Sequence, residues 1–280
     1  MSVTSKGGHR HKKKLGQHFL QDGNIVRKII DLAAILPGMP VLEIGPGNGV
    51  LTEALLRAGA AVTAIETDAE LIPVLKQRFA GAFPDQFTLV PDDILKCDLP
   101  AILDYGNPDF SRFLVVANIP YNITTPIVFS LIDQRHLFSR AVLMVQDEVA
   151  VRLLAAPGSK NYGRLSVMVS LAAHIFSGFK VSPACFYPPP QVWSRVITLE
   201  FLTSRRCEMV DGQWLGEIVN RLFSQRRKKI VNPLLGCRLT LSRQQLVELL
   251  QHNGFSPDCR PETMSVDELC RLARLLAPHR

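Results

Sequence analysis

None of the six cysteines, Cys97, Cys185, Cys207, Cys237, Cys259 and Cys270, stands in a C-x-x-C pair. That scatter argues against a zinc module and against a small disulfide framework, and reduced thiols are expected. No run of about 18 apolar residues occurs, so no bilayer span is expected. The opening stretch Met1 to Lys14 is polar and basic with no apolar segment after it. It therefore differs from a secretory leader, and it also lacks the apolar face of an organelle presequence helix. The cytoplasm is the expected compartment, with neither a membrane nor a metal as partner. There is no internal repeat and no low-complexity tract other than the prolines around Pro188-Pro189-Pro190. No exposed apolar stripe asks for a second copy, and a monomer is expected.

What is present points to a folded chain with a polyanionic partner. The 280 residues suffice for one α/β domain and a smaller companion, and 47% hydrophobic content supports a core. Thirty-two Lys and Arg against 25 Asp and Glu give a net charge of +7 and a pI near 9.2, a balance that attracts nucleic acid by long-range forces and counterion release.

Asp22 to Leu36 reads as a helix, with Ile25, Ile29, Leu32 and Leu36 at helical spacing and Pro37-Gly38 as its stop. Strands and helices then alternate through Val41 to Ile44, Leu51 to Leu56, Ala61 to Ile65, Ala69 to Phe79, Phe87 to Val90, Phe113 to Ala117, Pro126 to Ile132 and Ala141 to Val145. This rhythm predicts an α/β fold, a doubly wound and mostly parallel sheet with helices on both faces. Asp147 to Leu154 and Arg164 to Ile175 read as helices, and Val181 to Cys185 and Val192 to Phe201 as β-rich segments. The composition shifts at Thr203-Ser204-Arg205-Arg206. Beyond it, Trp214 to Phe223, Lys229 to Leu235, Arg243 to His252 and Val266 to Leu276 are helical candidates with turn signals between them. The expected organisation is a disordered basic arm over 1–14, an α/β domain over 15–203 and a small all-helical C-terminal domain over 204–280.

Two motifs carry chemistry. Asn118-Ile119-Pro120-Tyr121 follows the apolar run Phe113 to Ala117, which sets an amide, a rigid carbonyl and an aromatic ring at the end of a buried strand. Tyr121 offers a face on which a base can stack, and Asn118 a side-chain acceptor. Glu43-Ile44-Gly45-Pro46-Gly47-Asn48-Gly49 links a strand to a helix, and its glycines let the backbone approach a ligand closely. Glu66 follows at the end of the next strand, roughly 20 residues on, where a carboxylate binds ribose hydroxyls. A dinucleotide fingerprint would place its third glycine at Val50; the crowding of Gly49 into the loop speaks against a pyrophosphate cradle.

With these residues in place the chain resembles the small-subunit ribosomal RNA adenine dimethyltransferases, a family of class I S-adenosylmethionine-dependent methyltransferases with a Rossmann-like fold. The likeness begins at Lys14-Leu15-Gly16-Gln17-His18-Phe19-Leu20 and includes Asp92-Asp93 and Tyr162-Gly163-Arg164-Leu165-Ser166-Val167. It extends to Phe186-Tyr187-Pro188-Pro189-Pro190-Gln191-Val192 and Gln225-Arg226-Arg227-Lys228. One departure is His18, where many relatives carry Asn.

The resemblance implies an S-adenosylmethionine site. In it Glu66 takes the ribose hydroxyls, Asp93 accepts from the cofactor's adenine amine, and the loop Gly45 to Gly49, through Gly45 and Gly47, passes under the methionine end. Gln17, His18 and Leu20 close over the top, and Asn118 borders the same crevice. Asp92 competes with Asp93 for the adenine. The resemblance further implies dimethylation of the N6 amines of two adjacent adenines near the 3′ end of small-subunit rRNA, within an immature ribosomal subunit.

An aromatic amine is a poor nucleophile because its lone pair is delocalised into the ring. Acceptors from the Asn118 side chain and the Pro120 carbonyl would localise that pair, so positioning and electrostatics suffice and no general base is required. Tyr121 and Phe186 are the expected platforms for a flipped base. Arg226, Arg227, Lys228 and Lys229 are candidates for phosphate contacts, with Arg221, Arg164 and Lys12 to Lys14 as weaker ones. Two other readings stand beside this one: a large-subunit rRNA adenine methyltransferase of the macrolide-resistance type, and a non-catalytic nucleic-acid-binding assembly or transcription factor of the same fold.

Overall fold

The computed structural model describes residues 18–103, 110–204, 206–207 and 210–280. The basic arm 1–14 and Gln17 lie outside the described residues. Two compact units form, one from residues through Asp147 together with Ser177–Leu199, the other from Glu148–Phe176 together with Glu200–Arg280. This partition differs from a single cut after residue 203. Tyr162, Val167 and Leu171 are buried in one cluster with Trp214, Ile218 and Leu272, which groups the segment before Ser177 with the C-terminal helices.

The first part of the chain runs through β1 (Phe19–Leu20), α1 (Gly23–Ala33), β2 (Pro40–Ile44), α2 (Val50–Arg57), β3 (Ala61–Glu66), α3 (Leu71–Leu75), β4 (Phe87–Pro91), α4 (Leu99–Ile102), β5 (Phe113–Asn118), α5 (Thr124–Asp133) and β6 (Phe138–Gln146). Then come α6 (Asp147–Leu153), α7 (Arg164–Ala172), β7 (Ala173–Val181), β8 (Phe186–Tyr187) and β9 (Ser194–Phe201). Four helices follow: α8 (Gly212–Ser224), α9 (Val231–Leu235), α10 (Arg243–His252) and α11 (Val266–Leu276).

Helix α1 starts where Asp22 Oδ1 accepts the amides of Asn24 at 2.8 Å and Ile25 at 3.3 Å, satisfying donors that a helix start leaves open. It buries Ile25, Val26, Ile29 and Ala33 and ends at Ala34, which turns left-handed, short of the expected Leu36.

Seven strands form the main sheet in the order β4-β3-β2-β5-β6-β9-β7. The pairs β2–β3, β3–β4, β2–β5 and β5–β6 are all parallel. Their centres are apolar runs buried on both faces, such as Val41-Leu42 and Leu114-Val115-Val116, as expected where helices cover a parallel sheet on either side. The direction of strand succession reverses between β2 and β5, and such a switch opens a crevice at the carboxyl ends of the strands.

Two expectations differ from the fold. The helix expected over Arg164 to Ile175 stops at Ala172 and the chain enters β7, whose Gly178 packs so close to the Val196 carbonyl that a Cβ there would come within 2.8 Å of it. The β-rich segment expected at Val181 to Cys185 is instead a tight turn over Pro183–Cys185, capped by Ser182. Proline has no N–H to donate to a ladder, which favours the turn.

In the second unit, α8 to α11 enclose Trp214, whose indole N–H donates to the Ala273 carbonyl at 2.9 Å. Ser242 and Ser265 open α10 and α11 as reciprocal capping boxes with Gln245 and Glu268. Among the described residues no helix is long and apolar enough to cross a membrane.

Candidate active site

A cavity of about 280 Å³ lies at the carboxyl ends of β2, β3, β4 and β5. Strand register makes it one site. Ile44 pairs with Ile65, Glu66 with Pro91, and Asn118 with Met144, so the residues that follow or end each strand reach the same rim. His18, Leu20, Gly45, Gly47, Glu66, Asp92, Asp93, Asn118, Pro120 and Tyr121 all line it. Every sequence-predicted cofactor residue among the described ones is thereby brought together.

The glycine loop is shaped by what lies beneath it. A Cβ on Gly47 would come within 2.9 Å of the Phe19 ring, and one on Gly49 within 2.5 Å of the Phe79 ring. Both residues have φ in the left-handed region, at +58° and +75°, which a side chain tolerates poorly. Gly49 thus serves the helix start and the core packing beneath it.

Glu66 ties the loop to β3. Its Oε2 accepts the Gly47 amide at 3.2 Å and its Oε1 the Asp68 amide at 2.9 Å. Burial raises the Glu66 carboxyl above its ordinary pKa; the bonds from Asp68 and Gly47 oppose that rise, and the nearby Asp68 charge adds to it. At the end of β4, Asp92 Oδ1 accepts the Asp93 amide at 2.7 Å and Asp93 Oδ1 accepts the Leu95 amide at 3.0 Å. Asp93 also pairs with Lys96 at 3.4 Å, leaving Asp92 as the more exposed of the two.

The roof is a network from four segments. The Asn118 amide donates to the His18 carbonyl at 3.0 Å, and His18 Nδ1–H donates to the Pro188 carbonyl at 2.7 Å. The His18 ring stacks on Tyr121 with centroids 5.5 Å apart. The Tyr121 hydroxyl meets Ser194 Oγ at 2.5 Å, and burial raises the phenol pKa. The Pro120 carbonyl is directed elsewhere than expected: it accepts the Ile123 amide and the Thr124 hydroxyl, each at 3.2 Å. That oxygen serves the turn that starts α5, with the Thr124 hydroxyl shared between it and the Tyr121 carbonyl at 3.4 Å.

Sequence reasoning passed over Glu43. It stands near the carboxyl end of β2 and lines the cavity, is 1% exposed, and neither carboxyl oxygen has a hydrogen-bond partner among the described residues. Burial pushes its pKa up to about 8; the Thr52 hydroxyl draws it down in part, while the Glu66 charge adds to the rise. The Thr52 hydroxyl is also buried and has no partner of full hydrogen-bond geometry among the described residues, so it acts on Glu43 as a nearby dipole short of a complete bond. The signal in the sequence was an acidic residue inside an otherwise apolar strand.

Phe186 does not line the cavity. It is 4% exposed and buried in the core of the first unit, paired with Leu20 across the β1–β8 ladder, while Tyr187 beside it is 56% exposed. The basic residues lie in the second unit. Arg221, Arg227 and Lys228 are exposed; Arg226 donates to the Lys160 carbonyl at 2.9 Å, and Lys229 pairs with Asp258 at 2.7 Å.

A family model described as ribosomal RNA adenine dimethylase matches residues 8–277. The chain is 42% identical over 269 residues, 96% of either chain, to a Geobacter metallireducens protein named ribosomal RNA small subunit methyltransferase A. The crystal structure of a dimethyladenosine transferase from Plasmodium falciparum is similar with a TM-score of 0.77 at 28% identity, covering 93% of this chain and 97% of that one. That of the 23S rRNA methyltransferase ErmE is similar with a TM-score of 0.65 at 26% identity, covering 92% and 99%.

Proposed function

Since the chain belongs to the ribosomal RNA adenine dimethylase family, we infer that it dimethylates the N6 amines of two adjacent adenines near the 3′ end of small-subunit rRNA in an immature ribosomal subunit. The observation that carries this reading is the clamped Asn118. With Nδ2 held by the His18 carbonyl, Oδ1 is the atom left to accept from a base amine at the cavity rim.

The cavity suits S-adenosylmethionine as methyl donor. Glu66, Asp92 and Asp93 line it, which favours a cationic, hydroxyl-bearing ligand and disfavours a pyrophosphate, while Glu43 lines it as a buried acid held largely neutral. Glu43 contributes an uncompensated buried carboxyl, and Gly45 leaves open room, with only Pro120 Cδ near the position of a Cβ, at 4.0 Å. Glu66 would hold the ribose, Asp92 or Asp93 the adenine amine, and His18 and Leu20 the upper wall. When bound, that cofactor supplies an electrophilic methyl group on a sulfonium centre.

The chain's own work is orientation. Asn118 Oδ1 accepts one N6–H, and because Ile119 also lines the cavity while the Pro120 oxygen serves its turn, the Ile119 carbonyl would be the backbone acceptor. These acceptors draw the nitrogen lone pair out of the ring and aim it, a positional and electrostatic effect that needs no base before transfer. The N6 proton becomes acidic only afterwards and leaves to water. Tyr121, backed by His18 and tethered by Ser194, stacks the flipped base. Arg221, Arg226, Arg227 and Lys228 hold rRNA phosphates, a task consistent with work on cytoplasmic ribosomal particles. The 42% identical small-subunit relative, against 26% for ErmE, favours the small subunit.

Incubating the protein with labelled S-adenosylmethionine and immature small subunits tests the reading. Two neighbouring N6,N6-dimethyladenines in the small-subunit rRNA are expected. Absence of label, or label confined to large-subunit rRNA, overturns it.

A further inference from the structure

Trp193 is 52% exposed and lies outside the cavity wall, yet it adjoins the site through the chain. Its neighbour Ser194 contacts the Tyr121 hydroxyl, and its own carbonyl accepts the Asp147 amide at 2.9 Å, so the backbone beneath the indole is fixed. Trp193 immediately precedes β9, and because its carbonyl receives the Asp147 amide its backbone lies beside the residue whose carboxylate gathers two cations. There Arg195 Nε meets Asp147 Oδ1 at 2.7 Å and Lys180 Nζ meets Asp147 Oδ2 at 3.0 Å. Two cations share one carboxylate, so this ion cluster keeps an excess of positive charge next to the backbone that bears the exposed indole. A stacking face next to excess positive charge is the combination that holds single-stranded nucleic acid irrespective of sequence.

We propose that Trp193, with Lys180 and Arg195 beside it, is a second stacking platform that holds a base neighbouring the target adenine in single-stranded RNA. This rests on the reading of the cavity as an RNA adenine methylation site and adds a contact beyond it. Tyr121 takes the target base inside; Trp193 takes a flanking base outside. The ring is offered on a fixed backbone, so little order has to be imposed on the protein when RNA arrives.

The chain has two tryptophans, and the other, Trp214, is 1% exposed, so fluorescence quenched from outside reports Trp193. Titration of the full chain with a short oligoadenylate RNA is expected to quench emission and to shield the exposed indole from acrylamide. Trp193→Leu should abolish that signal and weaken RNA binding, read by anisotropy of the labelled oligonucleotide, by about 10-fold or more, as expected for loss of one stacked base. Trp193→Phe should restore most of the affinity. Calorimetric S-adenosylmethionine binding should be unchanged in both variants. RNA binding without quenching, or equal affinity in Trp193→Leu, overturns the platform while leaving the methylation reading intact. Failure of the wild type to bind either RNA or S-adenosylmethionine overturns both.

Discussion

The side-chain amide of Asn118 donates to the backbone carbonyl of His18 at 3.0 Å, joining residues 100 positions apart in the chain. An amide has one acceptor and two donors, so a partner for the donor decides which way the acceptor faces. The same bond fixes the roof segment, because His18 is then held by Asn118, by Pro188 and by the Tyr121 ring. One residue therefore serves both ligands of the proposed reaction.

Asn118→Ala should lower kcat for methyl transfer by about 10²- to 10³-fold, the usual loss when one preorganised electrostatic contact is removed. Cofactor affinity, measured by calorimetry, should fall less, since Glu66 and the glycine loop remain. A variant that methylates at the wild-type rate would remove Asn118 from the chemistry.

Gly49→Ala tests whether the loop's third glycine serves packing. The added Cβ would approach Phe79 at 2.5 Å and Leu75 at 3.1 Å, on a backbone with φ of +75°. A stability loss of roughly 1–3 kcal/mol is expected from the overpacking alone, read from urea denaturation. In a Phe79→Leu background Gly49→Ala should cost less than in the wild type, since the Phe79 clash is gone while the Leu75 contact and the backbone strain remain. No loss in the single variant would mean that the loop shifts freely.

Phe186 separates what periodicity can show from what it cannot. The alternation of strands and helices was legible because each apolar run is short and bounded by turn residues, and β2, β3, β4 and β5 lie where those runs predict. The choice between Phe186 and Tyr187 as the ring that faces outward was not legible. It depends on pairing with β1, where Leu20 meets Phe186 and Phe19 meets Tyr187, and a two-residue ladder leaves no periodic trace. Phe186→Ala should accordingly cost about 3–5 kcal/mol of stability, the range for removing a buried phenylalanine. Thermal unfolding beside Tyr187→Ala checks this; equal effects would contradict the assignment of Phe186 to the core.

The Pro120 carbonyl and Glu43 were illegible for a different reason. Whether a carbonyl is available depends on what the next turn does with it, and Thr124, four residues on, takes it up. Whether a carboxylate in an apolar strand is exposed at an edge or buried at the centre depends on strand order. Here β2 lies between β3 and β5, which buries Glu43 almost completely. The site residues at strand ends escaped this problem, because the carboxyl ends of parallel strands all lie on one side of a sheet, and a doubly wound sheet opens its crevice there.

Glu43 gives stability a dependence on pH whose sign is fixed by its surroundings. In the unfolded chain the carboxyl titrates near 4.5, while burial in the folded protein raises it to about 8. Well below 4.5 both states are protonated and the favourable contribution of the neutral buried acid is complete. As pH climbs from there toward 8 the unfolded chain loses the proton first, binds fewer protons than the folded one, and gains relative stability, so the protein weakens through that window. Above 8 the folded carboxyl is ionised too and the slope from this group ends. The total effect is on the order of a few kcal/mol. Glu66 is raised by burial as well and adds to the same trend, so the diagnostic quantity is the difference between wild type and Glu43→Gln. Urea midpoints measured from about pH 5 to about pH 8.5 should fall more steeply for wild type than for Glu43→Gln, which keeps the shape but cannot ionise. Parallel slopes for the two proteins would mean that Glu43 is charged and compensated across the whole range.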